Sequence, residues 1–79
     1  MNETNKNKLK ELEEALSQMG SGLDAVDKTG SWSHFRKHEK RSQELIDALP
    51  TKIQKKLSST HPSIHNWYHI QKEVQKLRK

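Results

Sequence analysis

Leu9, Leu12, Leu16 and Met19 stand three, four and three residues apart, and Leu23 and Val26 continue the series in phase. Steps that alternate between three and four return to one side of a helix of ~3.6 residues per turn. The segment can therefore gather its apolar side chains on one face only as a helix. Nowhere does the chain show the sustained period-two alternation of a half-buried strand, and β-branched residues are few. The expected fold class is all-α.

Helix boundaries follow from the local chemistry. The first helix is predicted over residues 5–19, with Thr4 as N-cap. Gly20-Ser21-Gly22 then interrupts the stripe, and each glycine costs a helix about 1 kcal/mol relative to alanine. A break is expected there, with Ser21 and Asp24 capping a short further turn. The run Asp27-Lys28-Thr29-Gly30-Ser31 reads as a loop. A second helix is predicted over 32–49, capped by Ser31 and stopped by Pro50. Its apolar face carries Trp32, Phe35, Leu45, Ile46 and Leu49, with His38 and Ser42 inside that face. Thr51-Lys52-Ile53-Gln54 has the Thr-x-x-Gln form of a capping box opening a short helix, 52–57. Pro62 suits the first turn of a last helix, 62–77, whose apolar face is Ile64, Trp67, Ile70, Val74 and Leu77. The picture is a small bundle of about four helices with short connections and a loosely docked N-terminal helix.

The 79 residues make one domain the ceiling. Only 29% of them are hydrophobic, and the mean hydropathy of −1.15 approaches that of disordered chains. The periodic placement of the apolar residues argues for folding, and Trp32, Phe35 and Trp67 are expected in the core. The core is nevertheless thin, so a homodimer or another partner is one way to complete it. There is no cysteine, which excludes disulfides and thiolate zinc sites. No apolar run approaches the ~20 residues of a membrane span. The first ten residues lack the apolar centre of a signal peptide. A cytoplasmic protein with no membrane association is the expectation.

Charge divides the domain into an acidic part, residues 1–27, and a basic part, residues 28–79. Three lysines face six acids in 1–27, five bases face three acids in 28–50, and seven bases face one acid in 51–79, which accounts for the net charge of +5. Such asymmetry points to an interaction surface at the basic end.

Three of the five histidines, His61, His65 and His69, follow one another at steps of four, and His34 and His38 form a further pair at the same step. On one continuous helix the three would share a polar side with Lys72, Lys76 and Lys79 nearby. They would not converge on one ion, because the outer two are about 12 Å apart along the axis. No metal-binding motif accompanies them, so neither metal nor cofactor is expected. A polar face whose charge changes near neutral pH fits better. Tyr68 lies at the shoulder of its helix as the expected exposed anchor. Catalysis lacks a nucleophile tied to a base and a phosphate-binding loop, so the protein is expected not to be an enzyme.

Residues 52–70 resemble a helix-turn-helix in spacing: Ile53 and Leu57 four apart, a polar turn, then Ile64 and Trp67 three apart. The resemblance implies that His61, Ser63, His65, Asn66 and His69 meet a major groove while Lys55, Lys56 and Thr60 meet phosphates. The chain departs from the motif at Gln54, where a small apolar residue is usual. It departs again at Ser58 and Ser59, where a glycine and an apolar residue are usual. The leading expectation is a non-enzymatic regulatory protein that binds a larger acidic protein and modulates its activity. It would do so through His61, His65, Tyr68, His69, Lys72, Lys76 and Lys79. Small charged helical inhibitors and adaptors of bacteriophages and mobile elements supply the analogy. A DNA-binding protein using residues 52–70 is the alternative.

Overall fold

The apolar stripe that begins at Leu9 runs along one uninterrupted helix. The computed structural model describes residues 3–79, and helix is the only regular structure among them. The elements are α1 (Glu3–Thr29), α2 (Ser33–Asp47), α3 (Thr51–Gln54) and α4 (Trp67–Arg78), the small all-α bundle expected. The 27 residues of α1 account for the 40 Å long axis of the molecule, at ~1.5 Å per residue. Leu9, Leu12, Leu16 and Met19 are fully buried. Both α2 and α4 pack on α1 rather than on each other. The N-terminal helix is thus the centre of the bundle, not a loosely docked appendage.

The expected break at Gly20-Ser21-Gly22 is absent, and with it the short turn capped by Ser21 and Asp24. The reason is tertiary. A Cβ on Gly22 would stand 2.7 Å from the Phe35 Cα and backbone nitrogen, and one on Gly20 would stand 2.6 Å from the Trp67 ring. The two glycines let α2 and the start of α4 come close to α1. Their propensity cost, about 1 kcal/mol each, is offset by burying Phe35, which is 1% exposed.

The helix stops at Gly30, whose φ of +73° places it in the left-handed region. Its amide donates to the Val26 carbonyl at 2.7 Å. The Thr29 hydroxyl donates to Ala25 O and accepts the Ser31 amide, while Ser31 Oγ accepts the Ser33 amide. Trp32, not Ser31, occupies the N-cap position of α2. It is 41% exposed, contrary to its expected place in the core, and its ring lies edge-on to Phe35 with the Arg36 guanidinium 5.7 Å from its centre.

From there α2 runs antiparallel to α1, as Gly22 against Phe35, Gln18 against His34 and Lys8 against Ala48 show. Ser42 is fully buried in the apolar face, and its hydroxyl donates to the His38 carbonyl at 2.8 Å beside Met19 Sδ. The polar interruption is therefore satisfied within its own helix.

The Thr51-x-x-Gln54 box does not cap α3. Pro50 takes the N-cap position, and Gln54 turns back so that its amide donates to Ile46 O and Leu49 O at the end of α2. The last turn of a helix leaves carbonyl capacity unused, and Gln54 supplies a donor there: Leu49 O takes its amide, and Ile46 O takes it alongside the Leu49 N–H. α3 is a single turn rather than the expected 52–57, although Ile53 and Leu57 are both buried.

The last helix begins at Trp67, five residues later than the expected 62. Pro62 is buried ahead of it, outside the helix, and Ile64 is 42% exposed. Asn66 holds this connection together. Its Oδ1 accepts the Ser63 amide at 2.7 Å, and its Nδ2 donates to Ser59 Oγ and His61 O. α4 then runs antiparallel to α1. Trp67 lies against Gly20, Gln71 donates to Ser17, and Gln75 and Arg78 reach Glu13. No described helix is long and apolar enough to cross a membrane.

Candidate protein-binding surface

Ile70, Gln71 and Val74 turn α4 toward α1, so the opposite side of the helix faces outward. At 100° per residue that outward side carries Tyr68, His69, Lys72, Lys76 and Lys79, and all five are exposed. Tyr68 is 55% exposed, and the Lys72 ammonium sits 5.0 Å from the centre of its ring. This cation–π contact holds a lysine stem along the ring while leaving the charge in water. Lys76 meets Glu73 at 3.6 Å. That is an exposed pair, worth at most about 1 kcal/mol and readily exchanged for another carboxylate.

The antiparallel packing adds cations that the charge profile along the chain had assigned to the acidic part. The first turns of α1 lie beside the end of α4. A cleft of ≈ 560 Å³ between them is lined by Lys6, Asn7, Lys10, Leu77, Arg78 and Lys79. On another side of the same turns a ≈ 290 Å³ depression is lined by Asn5, Pro50, Lys52, Ile53 and Lys56. Lys8 donates to Ala48 O at 3.1 Å, tying α1 to the end of α2. One pole of the bundle thus collects lysines from α1, from α3 and the residue pair after it, and from α4. Arg78 is partly neutralised by Glu13. Their positive fields add at this pole, which favours encounter with an anionic surface.

The histidine row is not a row. His61 and His65 precede α4, and only His69 stands within it. His61 Nδ1 lies 3.1 Å from Gln43 Oε1, which ties the connection to α2 rather than presenting it beside His69. Thr60 is half-buried, and its carbonyl accepts the Gln43 amide at 2.8 Å. Ser63 is half-buried as well, its amide bound to Asn66 and its hydroxyl accepting the His65 amide. All the hydrogen-bonding groups of the Asn66 amide face its own loop.

Residues 52–70 therefore do not assemble a helix-turn-helix. The leading element is one turn, and the residues expected at the front of a reading helix form the loop before α4. Lys55 and Lys56 are exposed as expected, at the lysine-rich pole. The structure brings together Tyr68, His69, Lys72, Lys76 and Lys79 of the expected binding set and separates His61 and His65 from them. Lys6, Lys10 and Lys52 are the cations missed. The antiparallel courses of α2 and α4 along α1 bring them to one pole, and nothing local in the sequence signals it.

His38 titrates below the ordinary imidazole value. Burial pushes its pKa down, and the neighbouring His34 and Lys37 push it the same way. Among the described residues no group of three or more His, Asp or Glu side chains is arranged around a common metal position. Comparison with protein-family models, with curated proteins and with solved structures finds no match.

Proposed function

We propose that the protein is a non-enzymatic regulatory binding protein. It engages a larger acidic protein through the outer face of α4 and the adjoining lysine-rich pole, and modulates that partner's activity. The observation that carries this reading is the single stripe of Tyr68, Lys72, Lys76 and Lys79 on the solvent side of α4. An exposed tyrosine set among cations combines the two elements of a protein-recognition face. One is a rigid aromatic anchor that gains by desolvation, and the other a ring of charges that steers encounter and excludes basic competitors. The face is convex and helical, which suits docking against a carboxylate-lined groove on the partner.

The same charges would also attract nucleic acid, so the test separates the two. The tagged protein is used to recover partners from a lysate, with and without nuclease treatment. A stoichiometric acidic protein that survives nuclease and is lost with Tyr68→Ala/Lys72→Glu supports the reading. Recovery of nucleic acid alone, with binding that falls steeply between low and moderate salt, replaces it with a nucleic-acid-binding function.

A further inference from the structure

The sequence holds two kinds of four-residue histidine step, and the structure treats them differently. His34 and His38 both lie within α2, one turn apart, and their ring centroids are 4.6 Å apart at a 52° tilt. His65 and His69 have the same spacing, but His65 lies in the turn ahead of α4. His61 is committed to Gln43. One histidine pair therefore has the backbone geometry of a helical chelate, and the other does not.

We propose that His34 and His38 form a two-imidazole chelate for a late first-row divalent metal ion, with Ni²⁺ bound more tightly than Zn²⁺. Imidazole nitrogen suits these ions, and affinity climbs through Ni²⁺ to a maximum at Cu²⁺ before it falls at Zn²⁺. Residues four apart on a helix face the same way, so both rings can turn their free nitrogens toward one ion outside the turn.

A contact from α1 prepares the pair. Gln18 Oε1 lies 3.1 Å from His34 Nε2 and accepts its N–H, so the ring is held in the tautomer that leaves Nδ1 free to take the metal. The groove that His38 enters is lined by Glu11, Glu14, Gln18, Lys37 and Arg41. Arg41 is turned toward Glu11 at 3.7 Å, and Glu14 has no ion pair among the described residues. Two carboxylates thus balance the two cations near an incoming dication. Two histidines leave the remaining coordination positions to water, so this is an exchangeable site rather than a structural zinc centre.

The test uses NiCl2 and ZnCl2 alone, titrated calorimetrically into the intact chain in non-coordinating buffer. Histidine-ring NMR signals are followed in parallel. One equivalent of Ni²⁺ should bind, with Zn²⁺ weaker. The ring signals of His34 and His38 should move or broaden while those of His61, His65 and His69 stay. His34→Gln and His38→Gln should each weaken binding at least about tenfold, and His65→Gln/His69→Gln should leave it unchanged. All of these side chains lie at the surface or half-buried in a groove, and far-UV circular dichroism confirms that each variant is folded. Unaltered Ni²⁺ affinity in His34→Gln/His38→Gln, or loss of binding in His65→Gln/His69→Gln, overturns the assignment.

Discussion

Gly22→Ala is the substitution for which sequence and structure make opposite predictions. If Gly20-Ser21-Gly22 were a break, alanine would restore helix propensity by about 1 kcal/mol. It would also narrow the unfolded ensemble, and the protein would become more stable. The structure has helix there already, with the Phe35 backbone against Gly22. The added Cβ would meet Phe35 Cα and N at 2.7 Å and Phe35 Cβ at 2.9 Å. Carbon atoms rest at ~3.5–4.0 Å, so α2 must withdraw by about 1 Å. No side-chain rotation can relieve a clash with backbone. Overpacking of this kind costs ~1–3 kcal/mol, and lifting Phe35 from its pocket adds to it. After subtracting the propensity gain, the net loss is about 1–2 kcal/mol. For a domain of this size that lowers Tm by roughly 4–15 °C. Thermal and urea unfolding followed by far-UV circular dichroism measures it, with exposed Ser21→Ala as the control for propensity alone. A Gly22→Ala protein melting at or above the wild-type temperature would refute the close approach of α1 and α2.

Gly20→Ala should be nearer neutral in the same assay, because its new methyl meets the outer edge of the half-buried Trp67 ring, which can tilt away. Asn66→Ala removes three hydrogen bonds from the loop before α4. It should cost about 1–3 kcal/mol, and hydrogen exchange at the Ser63 amide should accelerate more than in α1. Gly30→Ala forces a β-carbon into the left-handed region at φ +73°. It should destabilise by about 1–2 kcal/mol, with Gly30→Asn losing less in denaturant titration. His38 binds its proton less readily folded than unfolded. Its contribution to stability is thus present above the unfolded pKa and is withdrawn as pH falls from that value through the lower folded one. In EDTA, wild type should lose more stability than His38→Gln between about pH 8 and pH 5. The groups that face the ring, His34, Lys37 and Arg41 against Glu11 and Glu14, are unchanged between the two proteins. Equal acid sensitivity of the two would count against the depressed pKa.

What was readable along the chain is what depends on neighbours within one turn. The stripes at Leu9–Met19 and at Leu45–Leu49 report helix because periodicity needs no knowledge of the partner. Pro50 bars α2 from continuing, because its ring and missing N–H cannot sit in a helix interior. The outward position of Tyr68, Lys72, Lys76 and Lys79 follows from the inward position of Ile70 and Val74. Where the sequence misled, competing partners lay far off in the chain. Gln54 had a plausible local donor in the Thr51 amide of a capping box, yet its own amide served the carbonyls at the end of α2. His61, with Pro62 next to it, looked like the start of a helix, but Asn66 and Gln43 offered its segment a closed set of hydrogen bonds instead. That moved the start of α4 to Trp67 and dissolved the histidine row.

By itself, the sequence determined an all-α chain, the identity of its apolar stripes, a net positive charge and an exposed tyrosine–lysine face. These follow from periodicity and composition, which act at short range. Tertiary structure alone decided that the glycines of α1 are contact points rather than a hinge, because a missing Cβ has meaning only beside the backbone that fills its place. It also decided the basic pole, since Lys6 and Lys10 join Arg78 and Lys79 only when α4 folds back along α1. Of the two histidine steps it left one, His34 with His38, on a shared helical turn.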